Sequence, residues 1–356
     1  MRILGIIAVF ILAGTALQTN LYAQSQIGRP LVVGVLYWSM NISGQVLMRQ
    51  GLEEEADKIN QTAKKNGTRE LKLIVRVAGD GPEGIENQIK QMYELIDLKP
   101  DLLIVQPTDN AALSEALQAA NQINLPVIAY DQYISGGRLA SYVTSDNYQA
   151  GYLDGEYVAA SFAKGKMVKV VLVEYPHVSS TVERVNGFLD ALHDAGTKVR
   201  VLKSYEAVEA VSGKAVGQAI LHDFPTPGSI DAVFCVNDGG GTEVAKALQD
   251  AGRKEIILAS VDGAAPMVNM IRKNSIVRVD TAQFCRMLGQ TAMQLAWKYL
   301  HGEAIPDQVS IPVFPITQAT LPVFRERLEE MPEKFTKPWP CQTPVWQRNL
   351  KIIKIR

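Results

Sequence analysis

From Leu31 to about Gln290, short apolar runs rich in β-branched residues alternate with segments of helical periodicity. No other feature limits what this chain can fold into so tightly. The runs read LVVGVLY, LKLIVRV, DLLIVQP, PVIAYD, VKVVLVEY, KVRVLKSY, DAVFCVN, IILASVD and SIVRVDT. Most are continuously apolar, the pattern of parallel strands covered on both faces. Between them Ile85, Ile89, Met92 and Ile96 share one helical face, and so do Leu113, Ala116, Leu117 and Ala120. Leu288, Ala292, Leu295 and Tyr299 repeat the pattern further on. Such alternation packs as right-handed βαβ units, so the expected class is α/β with doubly wound parallel sheets. Two successive units are expected, one from Leu31 to about Asp131 and one from about Ser145 to Asp280. The short polar stretch QYISGGRLASYVTSD (132–146) would join them as a hinge, and a helix from about Gln283 to His301 would follow.

Both ends of the chain depart from this pattern. The N-terminus, MRILGIIAVFILAGTALQTNLYAQSQ, has one arginine, an apolar run from Ile3 to Ala16 and a small residue, Ala23, before a polar stretch. It reads as a secretory signal (residues 1–23) cut near Ala23, which implies export to the periplasm; the apolar run is short for a membrane span. Residues 320–356 carry five prolines, two tryptophans and a basic end, QRNLKIIKIR. Three scattered cysteines, Cys235, Cys285 and Cys341, fit neither a disulfide scaffold nor a zinc site, and leave one disulfide open. A formal net charge of −1 and the lack of a basic arm before the first strand argue against nucleic-acid binding.

Polar residues gather where the strands end. VIAYD ends in Asp131, AVFCVND in Asn237 and Asp238, LASVDG in Asp262, LLIVQPTD in Gln106 to Asp109, and VRVDTAQ in Gln283. In SSTVERVNGF, Ser180 and Glu183 have capping-box spacing, which would put Arg184 in the first turn of a helix. Each residue alone reads as well as a cap or a loop residue. Together they describe a polar ligand site at the carboxyl ends of two sheets. An ionised Asp only accepts, Arg only donates, and Asn or Gln does both, the set a polyol needs. Apolar sugar faces want an aromatic partner, and Trp38, just past the first strand, is favoured over Tyr37, Tyr133 and Tyr205. Asp131 and Arg184 would carry the affinity while the fold stands without them, since both project from element ends.

Phrases along the chain then resemble a known family in order and spacing: GLEEEADK, PTDNAALSEALQAANQINLPVIAYD, SDNYQAGYLDGEYVA, ERVNGF, AVFCVNDGGGTEVAKALQDAG and VDGAAP. From about Pro30 to Gln318 the chain resembles the ribose-binding-like branch of type I periplasmic binding proteins, the sugar receptors of ATP-driven transporters. The resemblance implies two doubly wound lobes joined by a hinge. Residues 30–133 and 284–312 would form one lobe, 145–283 and 313–325 the other, with 326–356 as an extension. It places sugar contacts on Asp131, Arg184, Asn237, Asp262 and Gln283. Around these the candidate site adds Trp38, Asn41, Gln106 and Gln132. The first pocket loop reads SMNISGQ, with Ile42, Gly44 and Gln45 where ribose binders carry Asn and paired Phe. Gln132 stands where they carry Arg, and an aromatic expected near Val208 is missing.

The function so implied is capture of a small neutral sugar or polyol and delivery to the membrane permease of an ABC transporter, with no catalysis, cofactor or metal. Isolated histidines and the lack of a Gly-x-Ser-x-Gly elbow or His-Glu-x-x-His pair argue against an enzyme. A repressor of the same fold would need a DNA-binding headpiece where the signal stands. The remaining alternative is a periplasmic partner of a membrane histidine kinase or chemoreceptor, which the long C-terminus favours.

Overall fold

The computed structural model describes residues 28–324 and 334–347, and the backbone of 351–353. The expected signal, residues 1–23, lies outside the described residues.

The first unit runs β1 (Leu31–Tyr37), α1 (Ser43–Asn66), β2 (Leu71–Val77), α2 (Gly81–Asp97), β3 (Leu102–Val105), α3 (Ser114–Gln122), β4 (Val127–Tyr130) and β5 (Ser141–Ser145). The second runs α4 (Asn147–Ala160), β6 (Met167–Glu174), α5 (Ser179–Asp194), β7 (Lys198–Glu206), α6 (Ala210–Asp223), β8 (Ala232–Cys235), α7 (Asp238–Asp250), β9 (Ile257–Asp262), α8 (Ala265–Arg272) and β10 (Val277–Ala282). After them come α9 (Cys285–Leu300), β11 (Gln308–Ile311), β12 (Phe314–Thr317), β13 (Lys334–Thr336), β14 (Val345–Gln347) and β15 (Lys351–Ile353).

Two large sheets result, one per lobe, and β13 pairs with β14 in a separate two-stranded sheet. The first has the order β15-β11-β5-β4-β3-β1-β2 and the second β12-β10-β9-β8-β6-β7. Pairing is parallel within each sheet except at β15 and β12, which close one edge antiparallel. Strands β3, β4 and β8 are buried along their whole length, as their unbroken apolar runs require.

The stretch 132–146 is not the simple link its polarity suggests. Within it SYVTS forms β5, fully buried between β4 and β11. Its polar side chains are bonded rather than solvated: Ser141 Oγ donates to the Pro306 carbonyl at 2.7 Å and Thr144 Oγ1 to that of Asp131 at 3.2 Å. Up to β12 the chain instead passes between the lobes at three places, around Asp146, at Gln283–Phe284 and at Pro312–Val313.

The tail is packed. Trp346 lies edge-on to Phe314 at 5.9 Å between centroids, Phe335 lies 5.1 Å from the same ring, and Trp339 meets Tyr157 at 5.5 Å. Lys337 Nζ reaches Glu156 Oε2 at 2.6 Å with both side chains buried. The backbone of β15 then pairs with β11, so the extension begins on the second lobe and ends on the first. All three cysteines are unpaired.

Helix pairs approach through glycine. A Cβ on Gly151 of α4 would sit 1.8 Å from the Arg184 carbonyl oxygen, and one on Gly187 of α5 2.0 Å from that of Tyr148. Gly151→Ala must therefore push α4 and α5 apart, at a cost of about 1–3 kcal/mol. A urea midpoint equal to that of the native protein would contradict this packing.

Candidate functional site

The carboxyl ends of both sheets face one another, and the space left between the closed lobes is a small cavity of about 30 Å³. Trp38, Asp131 and Gln132 border it from the first lobe, Arg184, Asn237 and Asp262 from the second, and Gln283 from the second crossing. These are seven of the residues that the sequence nominated.

Asp131 ends β4 in the left-handed region at φ 66, a conformation that turns the chain abruptly out of the strand. Its own carbonyl accepts from the Tyr142 and Thr144 hydroxyls, both at 3.2 Å. Its carboxylate accepts from Gln106 Nε2 at 3.1 Å and is 4% exposed. Burial pushes this carboxyl up to about 6, against the Gln106 bond and the nearby Arg184 charge, which pull it down.

On the opposite wall Arg184 is 2% exposed. Its Nε donates to Asn147 Oδ1 at 2.9 Å, and its Nη1 to the Val236 carbonyl at 2.7 Å and to Asp262 Oδ1 at 3.2 Å. Gln283 Nε2 also donates to Asp262 Oδ1, at 2.5 Å. Burial pushes the Asp262 carboxyl up, with Arg184 and Gln283 opposing the rise. Arg184 is thus tied to three elements of its own lobe. The expectation that the fold does not depend on it does not survive this geometry.

The capping box at Ser180 and Glu183 does not form. Helix α5 starts at Ser179 with Val178 at its N-cap, so Ser180 is already inside the first turn and Arg184 lies in the second. The first lobe supplies what a local cap would have done. Gln132 Oε1 accepts from the Ser180 N–H at 3.3 Å, and Ser179 Oγ accepts from the Tyr133 N–H at 3.2 Å. Further contacts cross the cleft at its rim. The Asn110 N–H donates to the His177 carbonyl at 3.1 Å, and the His177 ring lies 3.7 Å from Asp109. Trp38 and Tyr175 bring their rings to 6.2 Å. The lobes are closed on one another.

Two nominated residues sit elsewhere. Gln106 is fully buried one layer behind the wall, where Oε1 accepts from the Trp38 N–H at 3.2 Å while Nε2 holds Asp131. It positions both residues without bordering the cavity. Asn41 is exposed, and its Nδ2 donates to Asp80 Oδ2 at 2.6 Å. Of the aromatics, Trp38 alone borders the cavity. Tyr37 donates to Glu53 beneath the Arg49 guanidinium, Tyr133 stands edge-on to Tyr142, and Tyr205 donates to Asp223. Asn237 does border the cavity, yet its amide is occupied, with Oδ1 accepting from Gly240 N–H at 3.3 Å and Nδ2 donating to the Val208 carbonyl at 2.9 Å.

Met48, Val178, Ser180 and Thr181 line the cavity as well, without having been read as ligand contacts. A signal for Ser180 was available, since it precedes Arg184 by four residues and so shares its helix face. The first pocket loop contributes Ile42, Gly44 and Gln45, and Val208 lies on the far wall where an aromatic was expected. Gln45 Oε1 accepts from the Ser39 N–H at 2.9 Å, which leaves its NH₂ for the cavity. Chemically the site offers two carboxylates, one guanidinium, amides and an apolar wall. Among the described residues no group of three or more His, Cys, Asp or Glu side chains is arranged to hold a metal.

Residues 33–304 match the family described as periplasmic binding protein domain. The chain is 27% identical over 311 residues to the ribose import binding protein of Bacillus subtilis, covering 86% of this chain and 95% of that one. It is 28% identical over 269 residues to the ribose import binding protein of Escherichia coli, covering 75% and 83%. In fold it is similar to the Caulobacter myo-inositol binding protein bound to myo-inositol, with TM-score 0.72 and 24% identity over 85% of this chain and 97% of that one. It is also similar to the fructose binding periplasmic domain of a hybrid two component system, with TM-score 0.71 and 23% identity over 82% and 92%.

Proposed function

Because the chain belongs to the periplasmic binding protein domain family, in its ribose-binding-like branch, we propose that it is exported to the periplasm, closes its two lobes around one small neutral sugar or polyol, and delivers it to the permease of an ABC transporter. The observation that carries this reading is the convergence of Asp131 and Gln132 from one lobe with Arg184 and Asp262 from the other on a single buried cavity. A sugar hydroxyl can donate to Asp131 while accepting from Arg184 or an amide, and charge-assisted bonds of this kind are the strong ones. The three crossings between lobes, rather than 132–146 as a whole, serve as the hinge. The first lobe takes residues to about 145 with 285–311, and the second takes 147–282 with 313–324. Ribose import relatives support the sugar class.

The charge balance supports a neutral ligand. Asp131 and Asp262 face one cation, Arg184, so an anionic sugar would meet net repulsion in a buried site. Calorimetry should rank neutral sugars such as D-ribose and D-allose, or myo-inositol, above uronates and sugar phosphates. X-ray scattering should show compaction on addition of the best of them, since closure lets both lobes bond the ligand at once. An unchanged radius of gyration at saturating ligand defeats hinge capture, and tightest binding of an acid sugar defeats the neutral assignment.

A second reading is supported by the structural likeness to a periplasmic domain of a two component system and by the packed C-terminal extension: the ligand-loaded protein signals to a membrane histidine kinase or chemoreceptor. Uptake of radiolabelled ligand in a deletion strain separates the two. Lost uptake supports the permease partner, whereas normal uptake with lost ligand-induced transcription supports the sensor.

A further inference from the structure

Two residues that line the cavity each carry a buried polar atom with no partner among the described residues, Oε1 of Gln283 and Oγ of Ser180. Both residues are buried, at 3% and 1% exposure. A buried hydroxyl without a partner is destabilising, and where its residue lines a cavity between the lobes a ligand hydroxyl can supply the missing bond. Gln283 already belongs to the site drawn from the sequence. Ser180 does not.

Three hydroxyl residues in succession open α5, and two of them are committed. Ser179 Oγ accepts from the Tyr133 N–H at 3.2 Å. Thr181 Oγ1 shares its one proton between the carbonyls of Tyr175 and Val178, just upstream of the helix. Ser180 Oγ is left, on the face of the helix that also carries Arg184 one turn later. Its backbone N–H is held by Gln132 across the cleft, which sets Ser180 beside the residue that follows Asp131.

We propose that Ser180 is a ligand-contact residue whose hydroxyl bonds one hydroxyl of the captured sugar or polyol and so selects for ligands that carry it, a proposal that rests on the sugar reading of this cavity. Because Gln132 holds the Ser180 amide from the other lobe, the selection is exercised as the lobes close. A ligand lacking that hydroxyl would leave Ser180 Oγ buried and unpaired in the closed state, which is how a site built to bond a hydroxyl rejects the analogue without it.

Ser180→Ala removes this hydroxyl without breaking a bond inside the protein, and alanine suits a helix. The thermal midpoint without ligand should therefore be unchanged or higher. The probes are D-ribose, D-allose, D-galactose and myo-inositol, followed by the monodeoxy analogues of whichever binds the native protein best, all titrated by calorimetry. The native protein should lose affinity at several deoxy positions. In Ser180→Ala the parent sugar should bind about tenfold more weakly, and the penalty at one deoxy position should vanish while the others stand. Native affinity for the parent sugar in the variant, or every deoxy penalty persisting, overturns the proposal and leaves the sugar reading intact. If none of the four parent sugars binds the native protein, the sugar reading fails and the Ser180 assignment falls with it.

Discussion

Arg184→Ala is expected to abolish measurable ligand binding and to destabilise the ligand-free protein by about 3–5 kcal/mol, the range for breaking one side of a buried ion pair. The guanidinium satisfies the Asn147 side-chain oxygen, the Val236 carbonyl and the Asp262 carboxylate together. Removing it leaves all three acceptors buried, and it leaves Asp262 without its cation in a region where Asp238 and Asp131 are also acidic. Asp262 then takes up a proton or stays charged at high cost, and neither state can bond a ligand as the native site does. Because the variant loses both stability and binding, a second variant separates them. Arg184→Met with Asp262→Asn removes the charge pair as a unit, which is often nearly neutral for stability. Part of the lost stability should return in urea denaturation, while calorimetry should still detect no ligand. A single Arg184→Ala variant with a native urea midpoint would show that these three bonds do not hold the second lobe together.

Asp131→Ala should weaken binding at least about thirtyfold, and the pH dependence of the native protein should identify the carboxylate as the cause. Burial raises this carboxyl to about 6, whereas in an unfolded chain it titrates near ~3.9. Between those values the folded protein binds the extra proton. Ligand-free stability contributed by this group therefore rises as pH falls from about 6 to 4, by an amount on the order of 3 kcal/mol over the whole window. Ligand affinity runs the other way. A hydroxyl donates to the carboxylate and not to the protonated oxygen, so binding should hold steady above about pH 6.5 and weaken below 6, by up to about tenfold per pH unit. Asp262 and Asp238 are also pushed up by burial, so native data alone mix several groups. Asp131→Asn isolates the contribution of Asp131. Its affinity should be lower and its slope between pH 7 and 5 shallower than that of the native protein. Parallel slopes would assign the pH dependence to the second lobe.

Strand and helix positions were legible along most of the chain because each depends on local pattern. The continuous apolar runs of β1, β3, β4 and β8 could only be covered on both faces, and those of β4 and β8 are followed by polar residues, Asp131 and Asn237, that border the cleft. That is why Asp131, Asp262 and Gln283 could be nominated from position alone. SYVTS failed the same test. Three of its five residues are Ser or Thr, and it becomes a buried strand because β4 and β11 pair with it on either side and the Pro306 carbonyl, from a segment 165 residues away, accepts from Ser141. The capping box at Ser180 failed for a related reason, since the bond that serves this helix comes from Gln132 in the other lobe.

Residue order by itself determined the class of this protein, two α/β lobes whose strands end in carboxylates and amides, because periodicity and strand-end chemistry are properties of neighbours in the chain. Tertiary structure alone decided which of those polar groups meet the cavity. Gln106 and Asp131 both follow an apolar strand, yet one is turned beneath the wall to hold the other, and Asn41 is drawn outward by Asp80. It also decided that Arg184 is a girder of its lobe and that Ser180 lines the cavity with a hydroxyl that has no partner among the described residues. These outcomes depend on bonds between residues tens of positions apart, on strands and helices that meet only after both sheets have formed, and short-range patterns in the chain hold no record of them.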